Sequence, residues 1–235
     1  HTGRVPGGRT FNYLLGIAKM AENSSDGVTP EPRKGLFGFL KRQPQCSIGR
    51  MLVVGILGGM GPQATLLLMQ KLIDAVPAAD DADHIPLLVD QNPQVPSRIR
   101  RLIEGTGEDP APVLADMARR LVAAGAEALA MPCNTAHHYV PAIRSAAKVP
   151  FIDMVHLSVT KSAKLAGPDG QVGILASPAV RRIGLFDAAL ARFGVRALYP
   201  EDEAAMLGAI RQIKSGGPGP EVRAILREAS DRLLQ

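Results

Sequence analysis

From Met51 onward, short apolar runs alternate with amphipathic stretches, and that rhythm constrains the fold more than any other feature of the chain. MLVVGIL (51–57), IPLLVD (85–90), EALAM (127–131), VPFIDM (149–154), QVGILA (171–176) and VRALY (195–199) read as buried parallel strands. Amphipathic segments lie between them, near 63–76, 110–124, 137–147, 155–166, 178–193 and 202–215. Strand and helix alternating in this way predict βαβ units and an open, mostly parallel sheet. The rhythm runs similarly through 51–150 and 151–235, so the expectation is an α/β protein of two similar lobes with those boundaries. After the last amphipathic stretch, PEVRAILREASDRLLQ (220–235), the alternation calls for a further strand. The second lobe is therefore expected to be incomplete, with an unpaired sheet edge.

The core these elements enclose must be aliphatic, because hydrophobic residues make up 46% of the chain while Trp is absent and aromatics reach only 4%. Residues 1–50 have a different character. VPGGR, SSDGVTPEPRKG and KRQPQ break any helical or alternating period, so this segment reads as a disordered or non-native tail. The chain begins with His1, and Met51, at the first clear fold signal, would serve as a natural start. FNYLLGIA (11–18) is too short for a secretory core and lacks a convincing cleavage site. No apolar run reaches the length of a membrane span.

Charge distribution argues against a nucleic-acid partner. The chain carries 27 basic and 22 acidic residues, of which the first 50 positions hold 8 and 3. The remaining 185 positions thus hold 19 of each, and the basic balance belongs entirely to the tail. Two cysteines, Cys46 and Cys133, at this separation make neither a metal site nor a disulfide framework, which suits a reducing cytoplasm.

Three polar loops each follow an expected strand: GGMGPQAT (58–65), QNPQVPSR (91–98) and PCNTAHH (132–138). In open α/β sheets ligands gather at the carboxyl ends of strands, so the three can share one crevice. The glycines of GILGGMGP do not have the spacing of a dinucleotide fingerprint. They leave a turn before Pro62 that is either a plain strand-to-helix connection or a helix start able to receive an anion. In the second loop Asn92 offers an amide and Arg98 a fork for a carboxylate, or else both are solvated surface groups. In the third, Pro132 ends the strand and places Cys133 at the crevice. Asn134, Thr135 and the following helix start would favour a thiolate there. A small core residue is the plain alternative for a free cysteine. His137 and His138 follow closely, and their spacing alone does not bring either ring to the thiol.

Taken together, GILGGMGPQAT, NPQVPSR, GEDP (107–110) and MPCNTAH resemble the cofactor-independent aspartate/glutamate racemase family, in its aspartate racemase branch, from Met51 to the C-terminus. The resemblance implies two α/β lobes with the active site between them, no pyridoxal phosphate, no other cofactor and no metal. It also implies a dicarboxylic amino acid as the small-molecule partner, with neither nucleic acid nor membrane bound and a homodimer left open. In the family two cysteines face opposite sides of the substrate α-carbon, one removing a proton as thiolate and the other returning one as thiol. Cys133 matches the first. Asn92, Asn134 and Thr135 match residues that hold the substrate near the reacting carbon, and Met60 and Gly61 of the glycine turn join them as substrate-binding candidates. Arg98 and Lys214 match the pair that grips the side-chain carboxylate. The second cysteine belongs to a GCTE-like motif after the next strand, expected just beyond Gln235, and Cys46 precedes the first strand and cannot replace it. One departure lies in ASPAVRR (176–182), where the family has a Thr/Gly-rich anion loop. Ser177 keeps a hydroxyl, but Val180 stands where a threonine is expected. Competing expectations are a one-cysteine decarboxylase or isomerase of the same superfamily, and a small-acid-binding protein without catalysis.

Overall fold

The computed structural model describes residues 51–235 and, among the first 50, the backbone of two short strands. These are β1 (Arg4–Val5) and β2 (Arg9–Thr10), which pair antiparallel. The other residues of 1–50, Cys46 included, lie outside the described residues, and the expectation of a disordered or non-native tail falls on them.

The first lobe is built on four strands, β3 (Val54–Gly58), β4 (Leu87–Gln91), β5 (Ala128–Ala130) and β6 (Phe151–Ile152), in the order β4-β3-β5-β6. All three pairings are parallel, with Gly55 opposite both Leu88 and Leu129. The chain leaves β3 for one neighbour, β4, and returns to its other side for β5. That reversal makes the carboxyl ends of β3 and β5 the switch point where an open α/β sheet forms its crevice. The GGMG and PCNT loops leave the sheet at these two ends.

Helix α1 (Pro62–Ala75) follows β3, and α2 (Ala111–Ala123) precedes β5. Leu114, Met117 and Leu121 recur at helical spacing on α2 and are almost wholly buried against Leu57, Leu129 and Met131. By contrast, α1 buries only Ala64 and Thr65, leaving Leu66 60% and Ile73 50% exposed. The 137–147 segment resolves into a 3₁₀ stretch, Thr135–Tyr139, running into α3 (Val140–Ala146). Pro141, which has no N–H to give, sits in the first turn of α3 where none is needed.

After β6 the chain enters the second lobe through α4 (Met154–Ala166), whose Val155, Val159 and Ala163 join a separate core around Phe186 and Leu190. Because β6 hydrogen-bonds into the first sheet, that sheet reaches Ile152. Asp153 is the junction, and its side chain accepts from the His156 N–H at 3.0 Å to cap α4. The second sheet pairs β7 (Gln171–Gly173) with β8 (Arg196–Leu198), again in parallel. The segment expected as one helix over 178–193 is two, α5 (Pro178–Arg182) and α6 (Asp187–Ala191). They are separated at Gly184, whose φ of 59° ends the first helix. A hairpin of α7 (Glu203–Gly216) and α8 (Pro220–Leu234) packs Met206, Ala209, Ile213, Val222 and Leu226 around Leu175, at the end of β7.

Candidate active site

Between the lobes lies a cavity of about 90 Å³. The first lobe contributes Met60, Arg98, Ile99, Pro132, Cys133, Asn134 and Thr135. The second contributes Ser177 of the ASPAVRR loop, Lys214 of α7 and an apolar wall that includes Leu175, Val180, Met206 and Leu226. Six of the eight residues expected from the sequence therefore meet here: Cys133, Met60, Arg98, Asn134, Thr135 and Lys214.

Two do not. Gly61 is the N-cap of α1 and lies outside the lining. Asn92 is turned to its own loop, its Oδ1 accepting from the Gln94 N–H at 2.9 Å in a local turn of the kind asparagine favours. Its backbone also forms a wall against Gly59. A Cβ on Gly59 would stand 2.4 Å from the Asn92 carbonyl carbon, and the φ of +92° already demands glycine. The backbone at residue 92, whose N–H donates to the Gly58 carbonyl at 3.3 Å, thus locks the second loop onto the first. Thr65 completes the lock by accepting the Gly59 N–H at 3.0 Å with its buried hydroxyl. Within the GEDP motif, Asp109 Oδ1 accepts the Ala111 N–H at 2.9 Å where α2 begins.

Cys133 stands three residues past the end of β5, half-buried, as a free thiol. The adjacent Asn134 has its Oδ1 buried with no hydrogen-bond partner among the described residues, an acceptor left for a ligand's N–H. Across the cleft Thr135 Oγ1 and Ser177 Oγ approach to 3.5 Å and join the two lobes. Val180 is 1% exposed and belongs both to the cavity wall and to the second core, so the position without a threonine hydroxyl is filled by packing.

Arg98 is oriented from below, Nη1 donating to the Val95 and Pro96 carbonyls at 3.0 and 2.9 Å. The backbone of its own loop thus places the guanidinium. Neither Arg98 nor Lys214 has an acidic partner among the described ion pairs. Lys214 as a whole residue is exposed, so the crowding about its ammonium is local to the cavity rim. That desolvation lowers its pKa below the ordinary lysine value, the charge of Arg98 lowers it further, and Cys133 opposes both. Arg98 and Lys214 thus set two positive charges at one cavity.

The histidines divide their roles. His138 is exposed and stacks edge-on against Tyr139 at 5.0 Å. His137 is buried, and its Nδ1 lies 2.7 Å from the Cys133 carbonyl oxygen rather than at the thiol. The sequence reading did not include the apolar wall from α7, although Met206, Ile210 and Ile213 recur at helical spacing on one face. Nor did it pair Ser177 with Thr135, which are brought together from different lobes.

Among the described residues no helix is long and apolar enough to cross a membrane, and no group of three or more metal-ligating side chains occurs. Fold and site together define a two-lobed α/β protein with a cysteine and two cations facing one interlobe cavity. The chain belongs to the Asp/Glu/Hydantoin racemase family, whose model matches residues 57–235. It is 32% identical over 111 residues to the broad specificity amino-acid racemase RacX of Bacillus subtilis (strain 168), a match covering 46% of this chain and 48% of that protein. The chain thus spans about half the length of that relative. Picrophilus torridus aspartate racemase superposes with a TM-score of 0.66 at 26% identity, over 77% of this chain and 73% of its own. An aspartate racemase homologue from Pyrococcus horikoshii OT3 shares the fold with a TM-score of 0.51 at 22% identity, over 69% of this chain and 70% of its own.

Proposed function

We propose that this chain is an amino-acid racemase that acts on an acidic amino acid, aspartate first, with Cys133 as the base at the α-carbon. The observation that carries this reading is the placement of one free thiol, an unpartnered amide oxygen and two cations without acidic partners around a single interlobe cavity. A dicarboxylic amino acid complements each of them. Its side-chain carboxylate suits Arg98 and Lys214, its ammonium can donate to Asn134 Oδ1, and its α-carboxylate fits the hydroxyls of Thr135 and Ser177.

In this reading the Cys133 thiolate takes the α-proton and becomes a thiol, while the electron pair left on the α-carbon delocalises into the α-carboxylate. A thiol is far more acidic than an amino-acid α-hydrogen, so the step depends on fixed donors that meet the growing carboxylate charge. Apolar walls and closely set lobes keep water from competing for those donors. A proton delivered to the opposite face completes inversion; delivered to the same face, it yields exchange without inversion.

The apolar wall of Leu175, Val180, Met206, Ile210, Ile213 and Leu226 favours a second reading, a preference for neutral side chains, in line with the similarity to a broad specificity racemase. One experiment addresses both. The chain is incubated in heavy water with the enantiomers of aspartate, glutamate and several aliphatic amino acids, following the α-proton by NMR and chirality by chromatography, with Cys133→Ala as control. Cysteine-dependent exchange confined to acidic substrates is expected. Exchange mainly of aliphatic substrates would favour the second reading, and exchange unchanged in Cys133→Ala would overturn both.

A further inference from the structure

His137 is a buried titratable side chain beside Cys133 that the reaction above does not use. Its side chain is 2% exposed, and Phe151 of β6 meets the ring edge-on at 5.7 Å. A carbonyl oxygen can only accept, so the 2.7 Å contact with Cys133 requires the proton on Nδ1. In the neutral ring Nε2 is then bare, and it is buried with no hydrogen-bond partner. It points towards Asp153 Oδ1, 3.9 Å away, and Asp153 is the residue at which the chain crosses from the first sheet into the second lobe. Arg144 of α3 is paired with the other oxygen of Asp153 at 3.6 Å. One imidazole therefore touches the backbone of the cysteine, the last strand of the first sheet and the lobe junction.

We propose that His137 is a positioning residue: its Nδ1–H, held on the Cys133 carbonyl, fixes the peptide that aims the thiol into the cavity. Other groups act only in support. Asn134 O accepts the His137 backbone N–H at 3.0 Å, closing the turn, and Phe151 limits ring rotation. The charged groups facing the imidazole are Asp153, which favours its protonation, and Arg144, which opposes it. Burial is the largest influence and, although the Cys133 carbonyl also favours the protonated ring, it holds the His137 pKa below the ordinary histidine value. Without the Nδ1–H, the carbonyl would lose its partner in a poorly hydrated place and the peptide could rotate. A displacement of about 1 Å at the reacting atom costs on the order of a hundredfold in rate.

The catalytic consequence rests on the racemase reading, but the positioning does not, and the test separates them. In the full chain with Cys46→Ser, leaving Cys133 as the only thiol, the rate of Cys133 alkylation by iodoacetamide is measured against pH. It is compared for the parent, His137→Leu, His137→Asn (whose amide can still donate to the carbonyl) and His138→Asn. The expected result is an altered alkylation profile in His137→Leu, near-parental behaviour in His137→Asn and no change in His138→Asn. Cysteine-dependent α-hydrogen exchange should fall in kcat by about tenfold to a hundredfold in His137→Leu with KM within about threefold, and recover in His137→Asn. Parental reactivity in a folded His137→Leu, or no recovery in His137→Asn, overturns the proposal. If His137→Leu does not fold, the ring tautomer of the parent, read from nitrogen NMR correlations, decides: Nδ1–H is expected, and Nε2–H overturns it. An altered alkylation profile with no exchange by the parent on any amino acid would leave the positioning intact and remove the racemase reading.

Discussion

The hydroxyls of Thr135 and Ser177 lie 3.5 Å apart across the interlobe cavity, one beside the cysteine and the other at the start of α5. A hydroxyl pair at that separation holds the lobes weakly and leaves lone pairs and hydrogens for a third partner. Ser177→Ala should therefore alter ligand binding more than stability. The expectation is a rise in KM for aspartate of about threefold to tenfold, the range of a single neutral hydrogen bond, with a melting temperature close to the parent's. Steady-state kinetics beside a thermal melt would check it, and a large loss of stability with unchanged KM would count against a ligand role.

Cys133→Ala should abolish exchange while sparing the fold. The residue is only half-buried, so the truncation removes little packing. Loss of a positioned proton acceptor typically costs about a hundredfold to ten-thousandfold. Heavy-water exchange measured with a urea titration of the same variant would separate chemistry from folding.

The depressed pKa of Lys214 gives a pH prediction with a definite sign. The ammonium binds an anion only while protonated, so affinity for a dicarboxylate should weaken as pH rises through a value below the ordinary lysine 10.5. Removing the Arg98 charge removes one of the two causes of the depression, so Arg98→Gln should shift the Lys214 titration upward while burial keeps it short of 10.5. NMR titration of the lysine side chain in both proteins reads this directly. An unshifted titration in Arg98→Gln would mean that the two cations do not share the cavity.

His137 should contribute to acid sensitivity. Its pKa in the fold lies below the 6.5 of a free histidine, so below about 6.5 the unfolded chain takes up a proton that the folded chain refuses. Stability should fall from that pH downward and level off once pH passes the folded value. Denaturant unfolding as a function of pH, parent against His137→Asn, should show a shallower acid decline in the variant.

Gly59→Ala should destabilise the protein by about 1–3 kcal/mol or more, because a side chain meets both an unfavourable φ of +92° and the Asn92 backbone. Gly105, at φ 69° but with open space around its missing Cβ, is the control and should lose less on the same change. Equal losses measured by urea unfolding would show that backbone conformation alone governs both sites.

Much of this architecture was legible in the chain because it rests on local periodicity. Buried parallel strands announce themselves as short apolar runs, and helices such as α2 by Leu114, Met117 and Leu121 at helical spacing. Every strand of the two parallel sheets falls within or beside an expected run. The break between α5 and α6 was missed because a lone glycine within an amphipathic segment is compatible with a continuous helix. Only the backbone conformation at Gly184 distinguishes the two cases.

Local sequence dictates the alternation of strand and helix, the placing of polar loops after strands, and the thiol beside an amide and a hydroxyl at residues 133 to 135. All of these are relations between near neighbours in the chain, set by side-chain period and loop chemistry. The tertiary structure alone decided which polar groups face the cavity and which hold the fold. It turned Asn92 onto its own loop, seated His137 on the Cys133 carbonyl and brought Lys214 and Ser177 across to the first lobe. The physical reason is that a side chain's role depends on the atoms packed against it. For residues joined across a lobe boundary, those atoms come from segments that only the closed chain brings together.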